Sequence, residues 1–226
     1  MRVYAFMAAV VVILLTAEAG NLRAYPGKET EAERIARLIK QLGDDSFEKR
    51  EVASRELDAI GEPAVAALRK AASSDDPEIR RRAATILRAI AARRLAVAAR
   101  KEIEGLQGTW YSTATEYAGK QQTGEEKTAT HIITADRWEN KHGETVLQSG
   151  TLNVIEVSDK LVKIDFVVTA GFGNGDTWLA IYERNGDELK WCGGYIGRQG
   201  LERPKMFTTR EGDGGYFIRS LKREKK

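Results

Sequence analysis

The stretch Gly105-Leu-Gln-Gly-Thr-Trp-Tyr111 marks the place where the sequence changes from a helical pattern to a strand pattern. Before it, Ala, Arg and Glu are abundant and apolar residues recur at three- and four-residue spacing, which is typical of amphipathic helices. After it, apolar and polar residues alternate, and aromatic residues and Gly become frequent, as in strands and turns. The chain is therefore predicted to be α+β, with a helical domain over residues 30–104 and a β domain over residues 105–223.

The helical half contains an internal repeat. Shifting the sequence by 30 positions aligns Ile35 with Val65, Leu38 with Leu68, Lys40 with Lys70, Glu48 with Glu78, Arg50 with Arg80, Ala53 with Ala83, Leu57 with Leu87 and Ile60 with Ile90. Self-similarity at one fixed offset is the signature of stacked structural units. Because the apolar residues of each unit have helical spacing, each unit is predicted to be a pair of helices.

Turn and cap residues divide this half into four helices. We expect Gly43 to end the first helix in the left-handed conformation, Ser46 to cap the second, Gly61 to end it, and Pro63 and Pro77 to lie in the first turns of the third and fourth. The fourth helix is predicted to run from Glu78 to about Glu104 and to connect the two domains.

Two turns of this half have a family resemblance. Asp44-Asp45-Ser46-Phe47-Glu48-Lys49-Arg50 and Asp75-Asp76-Pro77-Glu78-Ile79-Arg80 resemble the inter-helix turn and following Arg of HEAT-like repeats. In that family, α-hairpins stack into scaffolds that bind other proteins, so the resemblance implies an interaction module with a protein partner. Two units are few for a solenoid, so the β domain or a partner is expected to cap them.

The fourth helix is also rich in cations. They are Arg80-Arg81-Arg82, Arg88, Arg93-Arg94 and Arg100-Lys101. These side chains form either a basic face for an acidic partner or an ordinary solvated face, and the interspersed acidic residues favour the second interpretation.

The β half predicts eight or nine antiparallel strands, at about 106–117, 126–134, 136–142, 145–155, 160–169, 176–184, 187–196, 204–209 and 215–222, closing into a barrel. Asn185-Gly186 predicts a type I′ hairpin that pairs Tyr182 with Leu189. In that register the aromatic residues face inward, and Phe166, Trp178, Tyr182 and Trp191 are the candidate lining of a site for a small apolar ligand. A filled interior with no ligand is the alternative.

Several short motifs of the β half carry a second resemblance. They are Leu106-Gln-Gly-Thr-Trp110, Gly119-Lys120, Asp136-Arg-Trp138, Gly150-Thr151, Ile181-Tyr-Glu183, Gly186-Asp187, Leu189-Lys190, Arg203-Pro204 and Leu221-Lys-Arg-Glu-Lys225. Together they resemble an uncharacterised lipocalin-like domain family abundant in planctomycetes, over about residues 105–225. The resemblance implies a lipocalin-like barrel and no established activity.

Lipocalin-like barrels commonly pack an Arg from a late strand across the Trp of Gly-x-Trp. The resemblance therefore implies a barrel closure in which a cation covers the indole of Trp110. Arg219, between Phe217 and Leu221 on one face of the last strand, is the expected partner, and Arg223 is the fallback. In the alternative register Tyr216 and Ile218 face inward, and Arg219 is exposed.

The amino terminus has the pattern of a secretory signal. Met1-Arg2 precedes an apolar run from Val3 to Ala17, and Ala17-Glu18-Ala19 and Leu22-Arg23-Ala24 both offer cleavage sites. Residues 1–24 are therefore predicted to be a signal peptide and short linker, and the mature protein to be extracytoplasmic. The alternative is an uncleaved membrane anchor, for which the run is short compared with the roughly 20 residues of a membrane span.

The composition predicts binding in preference to catalysis. The formal net charge is +3, which gives no argument for nucleic acid. His131 and His142 have no metal-ligand spacing, no nucleophile elbow or phosphate-binding loop occurs, and Cys192 is expected to be a small buried side chain. We expect no metal, no cofactor and no catalytic residue. The predicted function is an exported interaction protein; a purely structural barrel and a hydrolase with an unrecognised acidic pair are the alternatives.

Overall fold

The computed structural model describes residues 29–122, 129–159, 161–194, 202–209 and 215–225, so the predicted signal peptide lies outside the described residues. Its first part consists of α1 (Glu31–Gln41), α2 (Phe47–Ile60), a 3-10 turn (Glu62–Ala64), α3 (Val65–Ala71) and α4 (Pro77–Leu106). The four predicted helices are confirmed. With 30 residues, α4 is about 45 Å long at 1.5 Å per residue, and it continues directly to the first strand.

Side-chain caps set where the helices begin. The Thr30 hydroxyl accepts a hydrogen bond from the backbone N–H of Glu33, and the Glu33 carboxylate accepts one from Thr30 N–H, which makes a capping box. Ser46 caps α2 as predicted, and Asp76 caps α4 just before Pro77. Each cap satisfies backbone N–H groups that have no partner inside the helix.

Two glycines predicted to end helices behave differently. Gly61 ends α2 with a φ of 71°, as predicted. Gly43 is not among the glycines with positive φ, so the prediction of a left-handed conformation there is wrong. A Cβ atom at Gly43 would lie 2.9 Å from both Asp76 Oδ2 and Ile79 Cγ1. Gly is needed because the turn after α1 closely approaches the start of α4.

The two α-hairpins are equivalent in contacts as well as in sequence. Arg50 donates from Nη1 to the carbonyl oxygens of residues 44 and 45, at 2.7 and 2.9 Å. Arg80, 30 residues later, donates from Nη1 to the carbonyl oxygens of residues 74 and 75, at 2.6 and 3.4 Å. The 30-residue repeat therefore superimposes turn on turn and helix on helix.

The helices share one apolar core. Leu38, Leu42, Leu57 and Leu68 are fully buried in it, together with Ala and Ile side chains of all four helices. Burial of a Leu side chain contributes about 1.5–3 kcal/mol, so these four residues stabilise the packing of the two hairpins on each other.

The second part consists of nine antiparallel strands: β1 (Gly108–Tyr117), β2 (Lys120–Gln122), β3 (Ala129–Thr134), β4 (Arg137–His142), β5 (Thr145–Val157), β6 (Val162–Gly171), β7 (Thr177–Asn185), β8 (Glu188–Gly194) and β9 (Tyr216–Arg223). Neighbours along the chain pair with each other, except that β3 pairs with β1, and β9 returns to pair with β1. Eight strands thus close into a barrel, while β2 is a short hairpin on the end of β1. The predicted antiparallel barrel is confirmed.

One predicted strand does not form. Residues 202–209 have no strand structure and lie against the outside of the barrel. Arg203 holds this segment there, because its guanidinium donates to the carbonyl oxygens of Ile164 and Ala180, at 2.8 and 2.7 Å, and pairs with the Asp165 carboxylate. The side chain thus crosses from β6 to β7.

The β7–β8 hairpin differs from its predicted register. Tyr182 pairs with Trp191 and Arg184 with Leu189, so the two turn residues are Gly186 and Asp187. Only Gly186 has a positive φ, which matches a type II′ turn with Gly at its first central position. Because the pairing shifts by two residues, the inward and outward faces stay as predicted.

Cys192 is buried on the outside of the barrel. It packs with Ile181 and Ile218 in a small apolar cluster that is separate from the barrel interior, and Phe207 packs against this cluster. Burial raises the pKa of the Cys192 thiol to about 11, as expected for a small apolar-type side chain. No helix among the described residues combines the length and the apolarity needed to cross a membrane.

Candidate functional site

The four residues predicted to line a ligand site all lie inside the barrel. Phe166 pairs with Trp178 across β6 and β7, and Tyr182 pairs with Trp191 across β7 and β8. Their rings pack on one another: the centroids of Phe166 and Trp191 are 4.9 Å apart, and those of Trp178 and Trp191 are 6.1 Å apart. Trp138 joins the group at 5.6 Å from Trp178.

These rings leave little space. The cavity lined by Phe166, Tyr182 and Trp191, together with His131 and apolar neighbours, has a volume of about 20 Å³. A ligand pocket needs on the order of 300 Å³, whereas a water molecule fits into about 10–15 Å³ measured in the same way. This part of the interior is therefore filled by its own aromatic side chains, and a small apolar ligand on these four residues stays a prediction.

Four buried polar groups of the interior have no hydrogen-bond partner among the described residues. They are the indole N–H groups of Trp138, Trp178 and Trp191 and the Ser112 hydroxyl. An unpaired buried donor costs about 1–3 kcal/mol. Trp138 and Trp191 line the 20 Å³ cavity, which has room for one water molecule.

A buried histidine and arginine lie beside these rings. Arg219 donates from Nη1 to His131 Nε2 at 2.9 Å, so His131 is neutral with its proton on Nδ1. Burial and the charge of Arg219 hold the pKa of His131 well below its usual value. The guanidinium of Arg219 also lies over Trp191 and Phe217, at 5.9 and 5.5 Å from the ring centroids. The sequence placed His131 in a strand, but it gave no sign of this contact.

The prediction that Arg219 closes the barrel on Trp110 is wrong. The β1–β9 register pairs Trp110 with Arg223, and Thr115 with Arg219, because a bulge between Ser112 and Ala114 shifts the later pairs. The guanidinium of Arg223 lies 4.2 Å from the centroid of the Trp110 ring. The fallback residue therefore forms the cation–π contact, while Arg219 lies further along the interior.

Arg223 and Trp110 also bind the end of α4. Arg223 donates from Nη2 to the Gly105 carbonyl oxygen at 2.6 Å and from Nη1 to that of Gln107, and Trp110 donates from Nε1 to the Leu106 carbonyl oxygen at 2.7 Å. The last carbonyl groups of a helix have no partner within it, so these donors complete α4. Leu106 itself is buried in the barrel core.

A second contact joins α4 to the barrel. The Tyr182 hydroxyl donates to Glu102 Oε2 at 2.8 Å. Burial is the larger cause and the Glu102 carboxylate the smaller one that raise the pKa of Tyr182 well above its usual value. The hydroxyl therefore stays protonated and donates its hydrogen bond to Glu102. Tyr182 thus belongs to the junction between helix and barrel, a role that the sequence did not indicate because Glu102 lies 80 residues away.

Most cations of α4, for which the sequence favoured an ordinary solvated face over a basic one, pair with carboxylates. Arg82 is buried and pairs with Glu51 and Glu78, at 2.7 and 2.6 Å, and Arg93 pairs with Asp58 at 2.9 Å. Further pairs are Arg94–Glu62 and Arg100–Glu104. A continuous basic face along α4 therefore does not form, because carboxylates of α2, of the turn before α3 and of α4 itself pair with most of these cations.

Comparison with known families agrees with the helical architecture. Residues 35–102 match the family model of HEAT repeats. A search of curated proteins finds no match for the chain. The fold and the match together define a protein in which a small HEAT-like repeat module, of a class that generally mediates protein interactions, precedes a closed eight-stranded antiparallel barrel.

Proposed function

We propose that this protein is an exported, non-catalytic interaction protein whose HEAT-like repeats bind a protein partner while the barrel is a rigid structural support that holds the end of α4. The observation that carries the proposal is the course of α4. One helix is both the last repeat helix and the element whose end is buried in the barrel, where Leu106, Arg223 and Tyr182 hold it. A helix anchored at both ends keeps the repeats at a fixed position on the barrel.

The packed interior favours a structural role of the barrel and argues against a role in carrying a ligand. A cavity of about 20 Å³ is too small for an apolar metabolite, and the aromatic rings around it are in mutual contact. The hydrolase alternative has little support, because no carboxylate faces the interior from the described parts of the strands. We therefore assign binding to the repeats.

Export is supported by the amino-terminal sequence alone. Met1-Arg2, the apolar run from Val3 to Ala17 and the Ala17-Glu18-Ala19 site form the three parts of a secretory signal. The proposal places the mature protein outside the cytoplasm, in the periplasm or secreted.

Native mass spectrometry of the protein purified from the extracytoplasmic fraction of its own host tests the proposal. We expect a mass without the leader and a complex with one protein partner, and no retained small molecule. A mature chain found only in the cytoplasm would refute export. A small molecule that stays bound under native conditions and no protein partner would refute the interaction function.

A further inference from the structure

At two positions of α2 the surface by which the first repeat contacts the second is acidic, while Arg50 of the same helix binds Glu78 of α4 at 3.4 Å. Glu51 and Asp58 lie seven residues apart on α2, hence on one side of the helix, and they bind Arg82 and Arg93 of α4. We call this side of a hairpin, which receives the next repeat, its stacking face. In repeat 1 the stacking face is covered by repeat 2.

The stacking face of repeat 2 has the opposite charge. The residues 30 positions after Glu51 and Asp58 are Arg81 and Arg88, and both are exposed. The equivalence holds in space as well, since the turn contacts of the two hairpins coincide. The first helices of the two hairpins differ in the same way. Ile39 of α1 packs against the helical core, whereas the equivalent residue of α3, Arg69, is exposed.

The cations of this face outnumber its carboxylates. They are Arg69, Arg81 and Arg88, all exposed, against Glu78, which also binds Arg50 and Arg82 on the side of repeat 1. Arg81 binds Glu78. Within the described ranges, Arg69 and Arg88 form no ion pair with a carboxylate. This end of the repeat module is therefore basic.

A second copy of the chain does not match this face. If repeat 1 of another copy stacked on repeat 2, the residues at the positions of Arg82 and Arg93 would be Val52 and Pro63. Neither carries a negative charge, so Arg81 and Arg88 would be covered without a counter-ion. Covering unpaired charges is unfavourable, which argues against growth of the solenoid by self-association.

We propose that the stacking face of repeat 2 is the docking site for an acidic α-helix of the protein partner, with carboxylates about two helical turns apart that bind Arg81 and Arg88. The inference rests on the proposed interaction function and specifies its surface and the chemistry of its partner. The contact between repeat 1 and repeat 2 is the model for this site. There, carboxylates of α2 bind arginines of α4; in the proposed complex, arginines of α4 bind carboxylates of the partner helix.

A helical peptide probe tests this site on the whole protein. The probe is a fluorescein-labelled, Ala-rich peptide of about 20 residues with two Glu residues seven positions apart, and fluorescence anisotropy measures its binding at low salt. The matched peptide has the same composition but a spacing of five, which puts the two carboxylates on different sides of the helix. We expect the first peptide to bind more tightly than the second.

Charge reversal locates the binding. Arg81→Glu with Arg88→Glu should weaken binding at least about tenfold, whereas Arg55→Glu with Lys101→Glu, the same charge change at exposed positions elsewhere, should alter it less than about twofold. A peptide with Lys in place of both Glu residues should bind the Arg81→Glu, Arg88→Glu protein. Circular dichroism checks that both variants fold like the wild type.

Three results would overturn the site. They are no binding of the Glu peptide to the wild type, equal binding of the two peptide spacings, and equal losses in the two double variants. If the natural partner found by native mass spectrometry binds the Arg81→Glu, Arg88→Glu protein unchanged, the proposed site fails while the interaction function stands. If no partner is found at all, the interaction function itself fails.

Discussion

Replacing Arg223 by Ala removes the side chain that fastens α4 to the barrel. Its guanidinium lies 4.2 Å from the Trp110 ring centroid and donates to the Gly105 and Gln107 carbonyl groups at the end of the helix. A third contact, to Asp187 at 3.1 Å, involves a carboxylate that is 61% exposed. Such an exposed ion pair contributes little.

The loss can be estimated from these contacts. A partly desolvated cation–π contact contributes about 1–2 kcal/mol. Each helix-end carbonyl that loses a charged donor costs about 1 kcal/mol, because the Arg223 side chain is 24% exposed and water replaces part of the interaction. The Arg223→Ala variant should therefore lose about 3 kcal/mol of unfolding free energy, or roughly 10 °C in melting temperature for a domain of about 120 residues.

Urea unfolding followed by tryptophan fluorescence measures this loss, since all four Trp residues lie in the barrel. Arg223→Lys should recover about half of it, because Lys keeps the charge but not the planar fork. Arg184→Ala is the matched control: this exposed guanidinium also approaches Gly105 and should cost less than about 0.5 kcal/mol. An Arg223→Ala protein as stable as the wild type, or an equal loss in Arg184→Ala, would refute the proposed clamp.

Three further predictions concern the two cores. Leu38→Ala should destabilise the helical domain by about 2–4 kcal/mol, measured by circular dichroism at 222 nm during urea unfolding, because Leu38 is fully buried; a loss below 1 kcal/mol would contradict this packing. Burial keeps His131 neutral in the fold, whereas in the unfolded chain it binds a proton near pH 6.5. As the pH is lowered from 6.5, the free energy of unfolding should therefore decrease by up to about 1.4 kcal/mol per pH unit. In urea titrations at pH 7.5 and 5.5, His131→Gln should lack this difference, and an equal pH dependence in the variant would contradict it. Cys192, with its raised pKa and full burial, should react with a thiol reagent at pH 8 only after urea unfolds the barrel, so rapid labelling of the native protein would contradict its burial.

The helical half was largely readable from the sequence. Its 30-residue offset and local signals such as Ser46 and Pro77 predicted both hairpins, because capping and helical periodicity act within a few residues of the chain. The prediction for Gly43 was wrong because it used local signals alone. A Gly after a helix favours the left-handed conformation locally, but here its missing side chain serves contact with Asp76 and Ile79, which are distant in sequence.

The sequence predicted that the second half forms a barrel, but not which side chains contact each other in it. Alternation predicted the eight strands of the barrel, but it also predicted a strand at 204–209 that does not form and missed the short β2. A hairpin shift of two residues left the predicted inward faces of β7 and β8 unchanged. The same alternation put Arg219 and Arg223 on one face, but it could not choose between them. The register between β1 and β9 decides that choice, because it pairs Trp110 with Arg223 and places Arg219 opposite Thr115.

The sequence by itself therefore determined the four helices, the repeat, the barrel and the inward sides of β6, β7 and β8, because these depend on periodicity and on interactions between near neighbours. Only the tertiary structure decided whether the barrel is hollow, which arginine covers Trp110, and which cations of α4 remain exposed. The cavity of about 20 Å³ depends on how aromatic side chains from several strands pack together, and the charge of α4 depends on the carboxylates of α2. Both are sums over contacts between residues far apart in the chain, and no local pattern encodes them.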